Sequence, residues 1–325
     1  MKTTTIAPSN IAFIKYWGKK DEVLRLPENG SVSMNLSNLL TTTTVEFNPS
    51  LKDDEITINN KRESNKGSRA VKHLDRIRKL AKIETKAKVV TENNFPTGTG
   101  LSSSASGFAA LTLAGAFAAG LNLSERELSI LARQGSGSAC RSIPDGFSEW
   151  LDGNTSDTSY AVSIFPPDFW DICDVVAVVS KDKKDVSTTQ GMKVAESSPF
   201  FDLRLKRINE KIKLIKKYIN DRDFKRFGEL AESEALELHS IMLTSRPSLI
   251  YLLPESLRVI KAVKKWREEG LESYFTLNTG QDVHILCQKD DIKRVLKRLS
   301  EIPEVRNIIV NYPDIGARLS QNHLF

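Results

Sequence analysis

Asn93–Gly120 reads NNFPTGTGLSSSASGFAALTLAGAFAAG. It begins with turn-formers, passes through glycine and serine, and runs without a break into small apolar residues. Gly98 and Gly100 free the backbone to turn sharply, and the serines fall where a helix begins. Unsatisfied N–H groups and hydroxyls therefore converge at the positive end of a helix dipole, which suits a phosphate. The loop is not of the Walker A type, since no Gly-Lys-Ser/Thr follows. A flexible serine-rich connector ending in an N-cap is the competing reading. The helix itself is apolar on nearly every face. Being short and rich in Ala and Gly, it reads as a buried helix and not a membrane span.

Around this element the chain reads as α+β. Before it, β-branched runs punctuated by turn residues predict strands TTTIAPS, IAFIKYWG, GSVSMNLS, LTTTTVEFN, EITIN and KAKVVTENN, with one amphipathic helix, SRAVKHLDRIRKLAKI. After it, NLSERELSILARQGSG opens with a capping box, Ser124 and Glu127, and stops at Gly135. Strands SYAVSIF and DICDVVAVVS, helices over 202–220, 224–242 and after Pro254, and a strand-helix-strand tail follow. At 325 residues two packed lobes are expected. We set them at 1–180 and 181–325.

Composition narrows the function. Apolar residues make up 40% and charged residues 27%, ordinary for a globular protein. The net charge of +6 arises from 47 basic and 41 acidic residues, and fits an anionic small substrate. Nucleic-acid binding is disfavoured, because the basic residues are scattered at helical spacing and the few aromatics do not interleave with them. The start, MKTTTIAPSNIAFIKYWGKK, lacks the pattern of a signal peptide, so a cytoplasmic location is expected. Cys140, Cys173 and Cys287 have no metal or disulfide spacing and read as buried small hydrophobes. The four histidines are dispersed, so no residue is expected as a direct metal ligand.

Three further segments carry candidate chemistry. GSGSACRS (135–142) sets hydroxyls on glycine-flanked backbone and adds Arg141, whose fork suits phosphate or carboxylate. Alone it would pass for a helix C-cap beside a surface arginine. KDKKDVSTTQGM (181–192) places Ser187, Thr188 and Thr189 after a lysine run, which alone reads as a solvated turn. APSNIAFIKYWGKK (7–20) holds Lys15, Tyr16 and Lys19. Lys15 lies in an otherwise apolar strand, where an unpaired ammonium is costly, so it is expected to meet an anion.

Together these segments resemble the diphosphomevalonate decarboxylase family, of the GHMP kinase superfamily. APSNIAFIKYWGK, NNFPTGTGLSSSASGFAAL, GSGSACRSIPDGFSEW, DVSTTQGM and ESYFTLNTGQDVHILC fall in that family's order, with MLTSRP at 242–247. The resemblance runs from Ala7 to about Gln288, and the tail NIIVNYPDIGARLSQNHLF has no counterpart that we can assign. It implies a GHMP kinase-type two-lobed fold, with a ribosomal protein S5-like N-terminal lobe, a ferredoxin-like C-terminal lobe and the active site in the cleft between them. It implies ATP and Mg²⁺ as cofactors, a homodimer, and ATP-dependent decarboxylation of (R)-5-diphosphomevalonate to isopentenyl diphosphate, ADP, phosphate and CO₂. Residue by residue, Pro96, Gly98, Thr99, Gly100, Leu101, Ser102, Ser103, Ser104 and Ser106 match the loop that cradles the ATP phosphates. That loop, 96–106, also includes Thr97. Tyr16, Lys19, Ser136, Ser138 and Arg141 match residues that hold the substrate's diphosphate and carboxylate. Lys15 lies close to the reacting phosphate, and Thr188 stands where the family has a serine.

One departure bears on activity. Where the family reads DAGPN, with the aspartate orienting or deprotonating the 3-hydroxyl, this chain reads NTGQD. Asn278 takes the position of the catalytic aspartate, and an amide cannot accept the proton. Three readings follow: an Asp-to-Asn form that traps a complex, a paralogue of changed activity, or transfer of the carboxylate role to Asp282. The second covers a decarboxylase of mevalonate 5-phosphate or of the 3,5-bisphosphate, and a mevalonate-phosphate 3-kinase. A silent ligand-binding homologue is the alternative from outside enzymology. Positions four apart on a strand lie about 13 Å apart, so Asp282 would have to be folded back at Gly280.

Overall fold

The computed structural model describes residues 1–96 and 98–325, and Thr97, within the expected phosphate loop, lies outside them. The first sheet is built on two long antiparallel strands, β1 (Lys2–Ile14) and β4 (Ser31–Phe47), with the short hairpin β2 (Lys19–Asp21) and β3 (Leu26–Pro27) between them. Sequence predicted each long strand as two. Both breaks fall at one register shift, where Pro8 pairs with Leu40 and Asn10 with Asn35, so an irregularity carries each strand through what reads as turn punctuation.

The sheet continues through β5 (Glu55–Ile58) and β6 (Lys61–Arg62), then, after helix α1 (Arg69–Ala81), β7 (Ala87–Asn93). Helices α2 (Ser103–Ala118) and α3 (Glu125–Gly135) follow, and β8 (Phe147–Trp150) and β9 (Ala161–Phe165) extend from β4. All its pairings are antiparallel except that of β5 with β7. The largely apolar α2 is buried against β1 and β4, as its sequence predicts. Ser124 and Glu127 form both halves of the expected capping box on α3.

The second lobe contains β10 (Ile172–Val178), α4 (Thr188–Met192), α5 (Phe201–Asn220), α6 (Phe224–Thr244), α7 (Pro254–Glu268), β11 (Ser273–Thr276), β12 (Val283–Gln288), α8 (Ile292–Ser300) and β13 (Asn307–Asn311). Its four strands pair antiparallel in the order β11-β12-β10-β13. Renumbered within the lobe this is 2-3-1-4, the ferredoxin-like order, and the expected α+β two-lobed fold is present.

The sheets divide the chain elsewhere than at residue 180. β10 lies before that boundary yet pairs only within the second sheet, and the final strand β14 (Arg318–Ser320) returns to pair with β1. β10 follows β9 in the chain as though it continued the same sheet, and its partners β12 and β13 lie far downstream. The tail that the resemblance leaves unassigned thus supplies an edge strand to each sheet, β13 to the second and β14 to the first. It is fastened by His323 Nδ1 to Thr4 Oγ1 at 2.7 Å and by Lys2 Nζ donating to the carbonyl of Phe325 at 3.0 Å.

The lobes share one core. Ile11, Phe13, Val32 and Met34 of the first sheet pack with Val176, Tyr274 and Leu286 of the second and with Ile208, Ile212 and Ile215 of α5. Burying that apolar surface fixes the cleft between them, at roughly 25 cal/mol per Å² removed from water. The three cysteines are buried and free, as expected. Among the described residues no helix is long and apolar enough to cross a membrane.

Two buried histidines tie stability to pH. Burial, then Arg76, Arg69 and Arg25, pulls His73 down to about 3, and burial pulls His239 down to about 4. Both lie below the ordinary value of 6.5, so the unfolded chain binds the extra protons and stability falls as pH drops below about 6.5. Urea unfolding at about pH 5 should cost about 2 kcal/mol per histidine relative to about pH 7.5. His73→Leu should remove one such share, because Thr112 keeps its bond to the Phe108 carbonyl at 2.6 Å. An unchanged pH dependence in that variant would contradict this assignment.

Candidate active site

The cleft between the lobes encloses about 600 Å³. Six cationic side chains line it: Lys15, Lys19, Arg25, Arg69, Arg141 and Lys184. None of its described lining residues is Asp or Glu.

Each cation is placed by neutral groups, with one exception. Arg141 sits on the 3-10 turn Gly137–Ser142, 3% exposed. It donates to Ser33 Oγ at 2.9 Å, Ser31 Oγ at 2.6 Å and the Asn10 amide oxygen at 3.0 Å. Its planar fork is therefore locked by β1 and β4 with its charge uncompensated. Arg69 opens α1, donates to the Gly135 carbonyl at 2.9 Å, and is lowered by burial to about 10. Arg25 donates to the Gln134 carbonyl at 3.1 Å. Lys184 donates to Thr188 Oγ1 at 2.7 Å and to the Thr279 carbonyl at 2.6 Å, and burial brings it to about 8. Lys19 is the exception, with Glu22 at 2.8 Å.

Lys15 departs from its sequence reading. The strand ends at Ile14, and the Lys15 ammonium meets the Ala12 carbonyl and Thr276 Oγ1 (2.8 Å), not an anion. Two neutral acceptors leave the cost of burial standing, and it falls to about 7. Beside it, the Tyr16 ring packs edge-on against Trp150 at 4.6 Å and lies 5.7 Å from the Arg141 guanidinium. A Cβ at Gly137 would come within 2.8 Å of the Tyr16 hydroxyl, so glycine is needed there for the turn to approach.

Of the expected phosphate loop, Gly98, Gly100, Ser102, Ser103 and Ser104 line the cleft at the start of α2. Four members do not. Thr99 is fully buried, Leu101 belongs to the shared core, and Ser106 is buried with its Oγ bonded to Thr41 at 2.6 Å. Pro96 is half-buried outside the lining. Their alternation follows from the turn: as Gly98 and Gly100 take positive φ, intervening side chains are directed into the core. Gly100 packs on Gly280 of the second lobe, and a Cβ on Gly280 would stand 2.2 Å from the Thr99 carbonyl oxygen.

Ser136, Ser138, Thr188 and Asn278 also line the cleft. Asn278 Nδ2 donates to Ser102 Oγ at 3.0 Å, and its carbonyl is 3.1 Å from His239 Nε2. Asp282 is absent from the lining. Its Oδ1 accepts from the Val179 N–H at 3.0 Å and burial raises it to about 6. It faces the end of β10, so it does not take the place of a carboxylate at Asn278.

Arg25, Arg69, Lys184 and Thr279 were not singled out from sequence. Arg69 looks like any exposed helix charge, and only its position after the N-cap Ser68 carries a hint. Lys184 belongs to the run that reads as a solvated turn. Among the described residues no group of three or more His, Cys, Asp or Glu could hold a metal ion. The oxygen donors that fit a hard cation are the hydroxyls of Ser102, Ser103 and Ser104.

A two-lobed α+β fold with a cationic, hydroxyl-rich cleft at a helix N-terminus defines an enzyme class that handles small phosphorylated substrates. Comparison with known proteins narrows the class. Residues 7–161 match the model of the diphosphomevalonate decarboxylase-like N-terminal domain, and 174–317 match that of the mevalonate 5-diphosphate decarboxylase C-terminal domain. The chain belongs to the diphosphomevalonate decarboxylase family. It is 39% identical over 311 residues to diphosphomevalonate decarboxylase of Candida albicans, covering 90% of this chain and 86% of that one. The Bos taurus enzyme is 36% identical over 314 residues, covering 89% and 77%.

Among solved structures, mevalonate diphosphate decarboxylase from Staphylococcus aureus superposes with a TM-score of 0.94 at 38% identity, covering 98% of each chain. A structure described as MDDEF in complex with MVAPP, AMPPCP and magnesium gives a TM-score of 0.93 at 35% identity, covering 99% of each.

The Gly100–Gly280 contact makes a direct prediction. Gly280→Ala forces its Cβ into the backbone of Thr99 and Gly100, so the loop at 98–102 must shift. The variant should melt a few degrees lower and lose the stabilisation that inorganic pyrophosphate gives the unaltered chain in a thermal-shift titration.

Proposed function

We propose that the chain catalyses ATP-dependent decarboxylation of (R)-5-diphosphomevalonate to isopentenyl diphosphate, ADP, phosphate and CO₂. The observation that carries this reading is the cleft of six cations with no acidic residue among its described lining, at the N-terminus of α2. Such a site is complementary to a multiply charged anion, and a pair of phosphorylated ligands supplies that charge. The family resemblance and the ligands named for MDDEF point to the same pair.

The residues divide the work by position. Ser102, Ser103, Ser104 and the first-turn N–H groups of α2 face the nucleotide phosphates, with Lys184 bridging to Thr188 from the opposite lobe. Bound Mg²⁺ would be held by the serine hydroxyls together with phosphate oxygens, and would neutralise charge on the transferred group. Tyr16, Lys19, Arg69, Ser136 and Ser138 surround the substrate's diphosphate. Arg141 holds the carboxylate that leaves as CO₂, and Lys15 stabilises the charge that develops as phosphate departs. Phosphoryl transfer asks mainly for positioning and charge stabilisation, so Asn278 can orient the 3-hydroxyl without removing its proton. A catalytic carboxylate would add general-base assistance, which is typically worth about 100-fold or more.

The homodimer and cytoplasmic location expected from sequence belong to this proposal. Three buried free thiols are consistent with a reducing compartment. Light scattering of the purified chain tests the dimer.

The decisive assay offers mevalonate 5-phosphate, 5-diphosphate and 3,5-bisphosphate separately, with and without ATP and Mg²⁺, and follows phosphate and CO₂. Release of both from the 5-diphosphate, only with ATP, is expected. Turnover of another substrate alone, or ADP without CO₂, would assign the paralogue readings, and no turnover would leave a binding protein. Asn278→Asp should raise kcat by about 100-fold. Arg141→Lys should cut turnover about 100-fold with a far smaller change in melting, since lysine cannot reproduce the fork. Because Lys15 must be charged, kcat/KM should fall as pH rises through about 7. Bound phosphates favour the ammonium, so the corresponding limb in kcat should lie at higher pH.

A further inference from the structure

We propose that Glu234 and Arg204 of the second lobe are positioning residues for Lys15, holding its backbone at both polar groups and keeping its ammonium charged in the cleft. The inference rests on the reading of Lys15 as the cation that faces the departing phosphate.

Lys15 stands just beyond the end of β1, where the strand's hydrogen-bond ladder no longer constrains it. Its N–H donates to Glu234 Oε1 at 3.1 Å. Its carbonyl accepts from Arg204 Nη2 at 2.7 Å and from Asn29 Nδ2 at 2.8 Å. Arg204 comes from α5 and Glu234 from α6, and the two side chains also pair with each other. Both are effectively excluded from water.

Two more charges complete the cluster. Lys211 Nζ lies 2.9 Å from Glu234 Oε2 and 2.6 Å from Glu237 Oε2, and Glu237 Oε1 accepts from Arg204 at 3.2 Å. Two cations and two carboxylates thus balance. Burial works against the Glu234 carboxylate, but Arg204 and Lys211 outweigh it and hold it below the usual carboxylate range. Buried ion clusters seldom add stability over a well-packed apolar core, and their use lies in fixing a geometry. Here the geometry fixed is that of one residue from the other lobe.

The titratable and charged groups that act on the Lys15 ammonium come from several elements. Glu234 and His239 face it from α6, Arg204 from α5 and Arg141 from the 3-10 turn. Asp174 of β10 acts from the far side, held by His284 Nδ1 at 2.9 Å, while Thr276 of β11 offers only a hydroxyl. Burial and the two arginines disfavour the ammonium, and Glu234 is the largest influence in its favour.

The test compares Glu234→Gln with Glu237→Gln. Each removes one negative charge from the same cluster and leaves Arg204 and Lys211 one carboxylate in common, but only the first touches Lys15. In protein labelled with ¹³C at lysine Cε, the Lys15 signal, assigned by its loss in Lys15→Arg, reports the titration directly. Glu234→Gln should lower the Lys15 midpoint by about one pH unit, a tenfold shift toward the neutral amine at a given pH. The alkaline limb of kcat/KM should move with it, so kcat/KM for the phosphorylated substrate near pH 7.5 should fall about tenfold, with KM for ATP nearly unchanged. Glu237→Gln should leave both titration and limb in place. An unmoved Lys15 midpoint in Glu234→Gln, or equal shifts in the two variants, would overturn the inference. Absence of turnover in the unaltered chain would overturn the proposed reaction, while the NMR comparison would still decide on the clamp.

Discussion

Lys15, Arg25, Arg69, Arg141 and Lys184 reach the same cleft with no carboxylate against them, and that accumulation of charge constrains the rest of the structure. Withdrawing an ion from water costs several kcal/mol unless partners compensate it. The protein supplies those partners as serine and threonine hydroxyls, the Asn10 amide and backbone carbonyls. Such acceptors fix direction without cancelling charge. The field in the cleft is left for an incoming anion, which completes an arrangement the fold has already oriented. This is electrostatic preorganisation in the sense that matters for catalysis, because the dipoles need not turn when charge develops.

Keeping those cations aimed requires both lobes at once. Arg141 is locked by β1 and β4, Lys184 by Thr188 and Thr279, and Lys15 by groups on α5, α6 and β11. The shared core formed by Ile11, Phe13, Val176, Tyr274 and Leu286 therefore serves the site as well as the fold. So does the approach of Gly100 to Gly280, where backbone meets backbone with no room for a side chain. The returning strand β14 adds a second covalent crossing between lobes, placing the end of the chain on β1, the strand that delivers Lys15.

Much of this was legible in the sequence. The apolar run of α2, the capping box at Ser124 and the glycine-serine turn have local causes, and local pattern found them. What escaped depends on distant pairing. The register shift between Pro8 and Asn10 lets β1 and β4 pass through apparent breaks, and β10 joins partners that sequence proximity does not suggest. At the site, Lys15, Tyr16, Lys19, Arg141 and the loop serines announce themselves by lying in glycine-rich or apolar surroundings. Arg69 and Lys184 carry no such contrast. Their place in the lining arises only when α1 and the 181–187 segment are folded against the cleft. Thr99, Leu101 and Ser106 show the converse, since a motif names a stretch of chain while the turn decides which of its side chains face the ligand.

Asn278 is where sequence and geometry together say more than either alone. An aspartate there would bring a carboxylate into a cleft that otherwise has none, next to Ser102 Oγ and a few residues from Lys184's acceptors. It would partly cancel the field that draws in the anions while adding a base. The amide reverses that exchange. It keeps a hydrogen bond to Ser102, retains the His239 contact at its backbone, and leaves the positive potential undiminished. In a loose phosphoryl-transfer transition state the attacking hydroxyl holds its proton until late, so field and alignment weigh more than basicity. The neutral residue at 278 is thus compatible with chemistry that relies on Lys15 and Arg141 for charge and on the loop serines for alignment. That in turn raises the demand on whatever keeps Lys15 an ammonium at neutral pH.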